Sequence, residues 1–159
     1  MIDEMDQKIL SIIQANARTA NAEIARQVGM APSAVLERIR KLEERGVIQG
    51  YEVRVNPRAL ELGLVAFVSV RTRDPYGSLE TAKSIAQLAE VLEVHHTAGE
   101  DCYLLKVRTK DTESLGRFLR QKLGETKNVT YTRSIIVLDT LKESTQLPLN
   151  LEAGENNVQ

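Results

Sequence analysis

The chain has 159 residues, 42% of them hydrophobic, so it can form one ordinary domain or two small ones, and disorder throughout is excluded. Its 21 Lys and Arg against 22 Asp and Glu give a formal net charge of −1, so total charge gives no support for nucleic-acid binding. The single cysteine, Cys102, excludes both a disulfide framework and a cysteine-based zinc site within the chain.

The start of the chain has none of the features of an export signal. The opening MIDEMDQKIL is acidic and lacks both a basic start and an apolar core. The longest apolar run, Leu62 to Val70, is about half of a membrane span. We therefore expect a soluble cytoplasmic protein with no membrane partner.

Two short amphipathic helices are predicted first. Apolar residues at helical spacing follow Asp3, a suitable N-cap, and this first helix is expected to end near Asn16. The second helix begins near Asn21 and ends before Gly29, because glycine is favoured just beyond a helix C-terminus.

A third helix is predicted to begin at Pro32, whose missing N–H would have no partner in the first helical turn anyway. Gly46 ends it. Beyond this glycine, VIQGYEVRVNP is predicted to be a linking strand that leads to a turn at Asn56-Pro57. The inner face of the third helix is formed by Val35, Ile39 and Leu42.

From Leu64 onward the pattern changes to short apolar strands and two helical segments. The segments in order are VAFVSVRTR, SLETAKSIAQL, VLEVHHT, CYLLKVRT, TESLGRFLRQKL and VTYTRSIIVLDTL, with a turn AGED between the second and third strands. This βαββαβ order predicts a four-stranded antiparallel sheet with two helices on one face.

The second and third helices, separated by a glycine turn, match the helix-turn-helix pattern, whose second helix enters the DNA major groove. Arg and Lys on its outer side can pair with phosphate or guanine. A solvated basic face on an ordinary helical bundle is the alternative, because Glu43 and Glu44 follow at once. The residues predicted to contact DNA are Asn21, Pro32, Ser33, Ala34, Glu37, Arg38, Arg40 and Lys41, with Arg40 on the flank.

A longer stretch favours the DNA-binding alternative. Residues 5–57, from MDQKIL to VNP, closely resemble the N-terminal domain of the Lrp/AsnC (feast/famine) transcription regulators. The resemblance implies that the third helix binds double-stranded DNA. It rests on Asp6, Ile9-Leu10, Arg18, Ala22 to Ala25, Val28-Gly29, Pro32-Ser33, Arg38-Ile39, Leu42-Glu43, Gly46 to Ile48, Gly50-Tyr51 and Asn56-Pro57.

The second half is similar to the effector-binding domain of the same family, a ferredoxin-like βαββαβ module, through TAGEDCYLLKV and TRSIIVL. The resemblance implies that sheets pair across a homodimer, that dimers often assemble into an octamer, and that free amino acids bind in clefts between dimers. The residues that match the effector region are Thr97, Gly99, Glu100, Asp101, Cys102, Tyr103, Thr132, Ser134 and Ile136.

The chemistry of this set suits an α-amino acid, which needs a carboxylate for its ammonium group and donors for its own carboxylate. Glu100 or Asp101 is expected to meet the ammonium group. N–H groups around Gly99, with hydroxyls of Thr132 or Ser134, are expected to meet the carboxylate, since glycine allows a close approach and a positive φ. The alternative is a tight acidic turn that binds nothing.

An α+β fold with two domains and a tail is therefore expected. Residues 1–60 are predicted to form a helix-turn-helix (winged-helix-like) domain with its linking strand. Residues 61–149 are predicted to form the ferredoxin-like effector-binding and oligomerisation domain. Residues 150–159 are polar, lack periodicity and are predicted to be disordered.

The chain departs from the family pattern at three positions. Family members usually carry Ser where Ala20 and Ala31 precede the second and third helices, and a lost cap hydroxyl costs about 0.5–2 kcal/mol of helix stability. Many relatives have Asp at the position of Cys102. For that reason, leucine is not carried over as the effector.

An enzyme of the siroheme decarboxylase type is the alternative function, because those enzymes share the two-domain architecture. Such an enzyme would use His95 or His96 with basic residues, of which Arg71, Arg73 and Arg133 are candidates. Neighbouring residues on a strand point to opposite faces, so the two histidines are not expected to share a metal. The chain is therefore expected to be neither an enzyme nor a metal or cofactor protein, and a ligand-binding assembly without DNA binding is a third alternative.

Overall fold

The computed structural model describes residues 2–99 and 102–149, which form two compact units. Among the described residues, the first unit comprises 2–54 and 142–149, and the second comprises 55–99 and 102–141. This division differs from the predicted one, because residues 55–60 group with the second unit and residues 142–149 group with the first. The predicted disordered tail, 150–159, lies outside the described residues.

Three helices form the first unit, with the bounds that local capping signals predict. They are α1 (Glu4–Ala15), α2 (Asn21–Val28) and α3 (Pro32–Glu44). Asp3 caps α1: its carboxylate accepts the Asp6 backbone N–H at 2.7 Å, and the Asp6 carboxylate accepts the Asp3 N–H at 3.3 Å. Ala20 and Ala31 stand at the N-caps of α2 and α3 without a side-chain hydrogen bond.

The core of the first unit lies where the three helices meet. Its buried residues are Ile9, Ile24, Ala25, Val35 and Ile39, with Ile12, Val28 and Ile48 packed against them. The C-terminal segment also contacts this unit, since Gln14 at the end of α1 hydrogen-bonds to the backbone of Leu147.

The second unit has the predicted βαββαβ order. Its elements are β1 (Leu64–Thr72), α4 (Glu80–Ile85), β2 (Val91–His96), β3 (Tyr103–Thr109), α5 (Thr112–Arg117), a π-helical continuation (Phe118–Leu123) and β4 (Val129–Ile136). The strands are antiparallel in the order β2-β3-β1-β4, which is the ferredoxin-like arrangement.

One face of the sheet is covered by both helices. Ala66, Val68 and Val70 of β1 pack with Leu105 and Val107 of β3 against apolar residues of the helices, namely Ile85, Leu115, Phe118 and Leu123. Most side chains of the edge strand β4 are exposed. Within the described part of the chain, no helix combines the length and apolar character needed to cross a membrane.

The predicted linking strand is wrong. Residues 47–56 form no strand, and Tyr51, Val53 and Val55 are exposed by 50%, 87% and 59%. The physical reason is that a strand exists only when a neighbouring strand satisfies its backbone groups, and no described segment pairs with these residues. The predicted turn is a short 3-10 helix, Pro57–Leu60, capped by the Asn56 side chain.

Candidate DNA interface and effector site

α3 begins at Pro32, three residues after the left-handed Gly29, whose φ is 71°. The exposed residues of this helix are Pro32, Ser33, Leu36, Arg40, Lys41, Glu43 and Glu44, whereas Ala34, Glu37 and Arg38 are half-buried. The predicted DNA-contacting set is thus only partly on the exposed side. Leu36 and Arg40 belong to the exposed side of α3, whereas Ala34 and Arg38 do not.

Arg38 is turned towards α1 by two acidic side chains. Its Nη1 lies 2.7 Å from Oδ2 of Asp3 and 2.6 Å from Oδ1 of Asp6, a carboxylate that is almost fully buried. The Asp6 backbone N–H and then the Arg38 guanidinium lower the pKa of Asp3, and the hydrogen bonds that Arg38 donates to Asp3 and Asp6 raise the pKa of Arg38. The guanidinium therefore connects α3 to the capped start of α1, a role that the sequence analysis missed.

Arg40 and Lys41 keep their charges at the surface, beside carboxylates of the same helix. Arg40 lies 3.1 Å from Glu37 and 3.4 Å from Glu44, and Lys41 lies 3.5 Å from Glu37. Hydrogen bonding to Arg40 lowers the pKa of Glu37. Exposed pairs of this kind are weak, so DNA phosphates can replace Glu37 and Glu44 as partners of the two cations.

Two further positions concern the helix-turn-helix. Asn21 is the first residue of α2 and is half-buried, so its contact with DNA would be made from the start of that helix. Leu36, which the sequence analysis did not single out, is 55% exposed. The helical angle was the available signal, because Leu36 lies about 60° from Ile39 on the wheel, beyond the edge of the inner face.

The turn between β2 and β3 carries most of the predicted effector residues. The Thr97 N–H donates to the Cys102 carbonyl at 2.9 Å, and Gly99 has the expected positive φ, 121°. Cys102 is half-buried, and Tyr103, the first residue of β3, is buried. Glu100 and Asp101, predicted to meet the ammonium group, lie outside the described residues.

The predicted effector residues of β4 are separated from this turn by β1. Thr132 is opposite Val70, which in turn is opposite Tyr103, so two strand spacings of about 5 Å each separate Thr132 from Tyr103. Ser134 and Ile136 lie still further along β4, opposite Val68 and Ala66. Within one chain, the fold therefore does not bring Ser134 and Ile136 to the turn.

A polar cluster that the sequence analysis missed anchors the loop after β1. Asp74 Oδ1 accepts hydrogen bonds from the Thr81 hydroxyl at 2.6 Å and from Asn128 Nδ2 at 2.8 Å. The Thr81 hydrogen bond is the main reason why the pKa of Asp74 is lowered. The negative charge of Asp74 adds to burial in raising the pKa of Tyr103, so this cluster lies near the start of β3.

The two histidines lie on opposite faces of β2, as expected. His95 Nε2 is 3.0 Å from Glu93 Oε2, whereas the His96 ring lies 5.2 Å from the Tyr103 ring. Among residues 2–99 and 102–149, no three His, Cys, Asp or Glu side chains are grouped to hold a metal ion.

The chain is similar to known proteins along nearly its whole length. Residues 2–49 match the winged helix-turn-helix DNA-binding family, and residues 65–147 match the Lrp/AsnC ligand binding domain. The HTH-type transcriptional regulator FL11 of Pyrococcus horikoshii is 38% identical over 93% of this chain and 97% of its own length. The leucine-responsive regulatory protein of Escherichia coli is 34% identical over 92% of this chain and 90% of its own.

Solved structures agree with these matches. The Neisseria meningitidis transcriptional regulator NMB0573, in complex with L-Met, has a TM-score of 0.88 at 34% identity and covers 94% of this chain and 98% of its own. The feast or famine regulatory protein Rv3291c of M. tuberculosis, complexed with L-methionine, has a TM-score of 0.85 at 35% identity over 92% of this chain and 99% of its own. The chain therefore belongs to the Lrp/AsnC family of DNA-binding transcription regulators.

Proposed function

We propose that this protein regulates transcription by binding specific double-stranded DNA through α3, and that a free amino acid bound to the second unit changes this binding. The observation that carries the proposal is the exposed side of α3, which follows the glycine turn and presents Arg40 and Lys41. The small residues Pro32, Ser33 and Ala34 at its start allow close approach to a groove.

The proposed DNA contacts combine exposed side chains of α3 with the half-buried Glu37 and Asn21. Arg40 and Lys41 are phosphate contacts, and Ser33 and Glu37 face base edges, with Asn21 at the start of α2 beside them. Arg38 is assigned instead to holding α3 on α1, because both carboxylates around it would have to be released before it could bind DNA.

The proposed effector is an amino acid, and methionine is the first to test because two relatives were solved with it. The turn residues Thr97, Gly99, Glu100, Asp101, Cys102 and Tyr103 supply one side of the site. Ser134 and Ile136, and with them Thr132 on the same strand, are proposed to supply the other side from a second copy, since β1 separates β4 from the turn of its own chain. We therefore propose a homodimer that assembles further, up to an octamer.

We propose that the protein has no catalytic activity and no cofactor. We also propose that it is located in the cytoplasm, together with its DNA target. His95 and His96 have separate partners on opposite faces of β2, so they do not act together on one tetrapyrrole or metal. The relatives are named as transcription regulators, which supports the same conclusion.

The test is a binding titration on DNA from upstream of the protein's own gene, at several salt concentrations, with and without L-methionine and a pool of the twenty amino acids. The expected result is a specific complex whose affinity falls steeply with salt and changes with the pool. Absence of specific binding at low salt would contradict the DNA-binding proposal. Unchanged binding in the presence of every amino acid would contradict the sensor proposal.

A further inference from the structure

Leu36 is a large apolar residue at the surface of α3. The other large apolar residues of this helix, Val35, Ile39 and Leu42, are at most 7% exposed. The side chain of Leu36 is 55% exposed. One exposed leucine is ordinary on a protein surface, so its meaning depends on its position.

The neighbours of Leu36 favour contact with DNA. Residues three and four positions apart are adjacent on a helix, which places Leu36 beside Pro32, Ser33 and Arg40. Pro32 and Ser33 are small, so the leucine projects beyond the first turn of α3. Arg40 leans towards Glu37 and Glu44 in its ion pairs, and its positive charge draws a phosphate backbone towards the same side.

The major groove offers one apolar group to such a side chain. Of the four bases only thymine presents a methyl group there, and apolar side chains recognise it by contact. We propose that Leu36 determines sequence specificity by packing on a thymine methyl in each half-site. This inference rests on the proposed binding of α3 to DNA.

The experiment begins by selecting a binding sequence from a random DNA library with the wild-type protein. Each thymine of a half-site is then replaced by uracil, which removes the methyl and keeps the base-pairing edge. At one or two thymines we expect the wild-type Kd to rise about fourfold, as burial of one methyl-sized group implies. Leu36→Ala is expected to bind the thymine DNA about fourfold more weakly than the wild type does. Its Kd is expected to be the same for the thymine and the uracil DNA.

Leu92→Ala is the matched control, because Leu92 is 54% exposed on β2 of the second unit. It is expected to keep the wild-type discrimination between thymine and uracil. Alanine is a better helix former than leucine, so Leu36→Ala is expected to keep the wild-type melting temperature.

Three results would overturn the inference. If Leu36→Ala still distinguishes thymine from uracil by the wild-type factor, another residue contacts the methyl. If no uracil substitution weakens the wild-type complex, no methyl is read at all, although DNA binding itself stands. If the library yields no enriched sequence at low salt, the proposed DNA-binding function fails, and the assignment of Leu36 fails with it.

Discussion

The most informative single residue is Arg38, which would be classed as a DNA contact from its charge and helix position. Its two carboxylate partners come from the start of α1, more than thirty residues earlier in the chain. Asp3 and Asp6 also form the capping box of α1. The Arg38 guanidinium therefore links the N-terminus of α1 to the middle of α3 by ion pairs. This explains why a basic residue on α3 contributes to the fold of the first unit.

We expect Arg38→Ala to lower the free energy of unfolding of the first unit. The substitution leaves the buried Asp6 carboxylate without its cation, a loss of about 1 kcal/mol because the arginine is partly exposed and solvent screens the pair. Chemical denaturation measures this. Arg40→Ala is the control and is expected to change stability by less than about 0.5 kcal/mol. Equal stability of the two variants would contradict the structural role.

Asp74 makes the stability of the second unit depend on pH. Its pKa is lowered in the folded state, chiefly by the Thr81 hydroxyl, so its contribution is present above the unfolded value, near 3.8, and is lost as pH falls through the folded value. We expect Asp74→Asn to have a lower free energy of unfolding than wild type at pH 7. Below about pH 4 we expect this difference in free energy to become smaller. Urea denaturation across this range measures it, with the exposed Asp139→Asn as control. A constant difference would contradict the assignment.

At the scale of elements, the exposed cations of α3 form ion pairs with carboxylates of the same helix. In the proposed complex, Arg40 exchanges Glu37 and Glu44 for a phosphate. We expect Arg40→Ala to reduce affinity and to lower the slope of log affinity against log salt by about one unit. Lys83→Ala, which removes an exposed and similarly paired cation from α4, is the control and should leave the slope unchanged. A wild-type slope for Arg40→Ala would remove Arg40 from the phosphate contacts.

Helices and strands differ in how well the sequence predicts them. α1 and α2 have the predicted bounds because Asp3 and Gly29 act through bonds and backbone angles within a few residues. The linking strand was wrong because alternating Tyr51, Val53 and Val55 favour an extended chain but provide no partner for its backbone. α4 is shorter than SLETAKSIAQL predicted, spanning Glu80–Ile85, and begins after Leu79, which offers no capping side chain.

At the scale of the whole molecule, two segments far apart in the sequence meet at the end of α1. The Leu147 N–H donates to Gln14 Oε1 at 2.7 Å, Gln14 Nε2 donates to the Leu147 carbonyl at 3.2 Å, and Gln146 Nε2 donates to the Gln14 carbonyl at 2.8 Å. Residues 142–149, which follow the last strand of the second unit, are thereby attached to α1.

We expect Gln14→Ala to release this segment, because it removes both hydrogen bonds of the glutamine amide with the Leu147 backbone. Trypsin should then cut after Lys142 several-fold faster, since cleavage follows the open population of a segment. Gln27→Ala is the control, because Gln27 bonds to Glu23 of its own helix. Cleavage at the wild-type rate in Gln14→Ala would show that other contacts hold the segment.

The sequence by itself determined the three N-terminal helices, the βαββαβ order and the family, because caps, hydrophobic periods and motif spacings act over a few residues. Only the tertiary structure decided which side chains of α3 are exposed, since Arg38 is turned inwards by carboxylates far away in the chain and Leu36 is left uncovered. It also decided that β1 separates Thr132 from the turn between β2 and β3, and that residues 142–149 join α1. Such distances depend on how remote segments pack together, which no local pattern specifies.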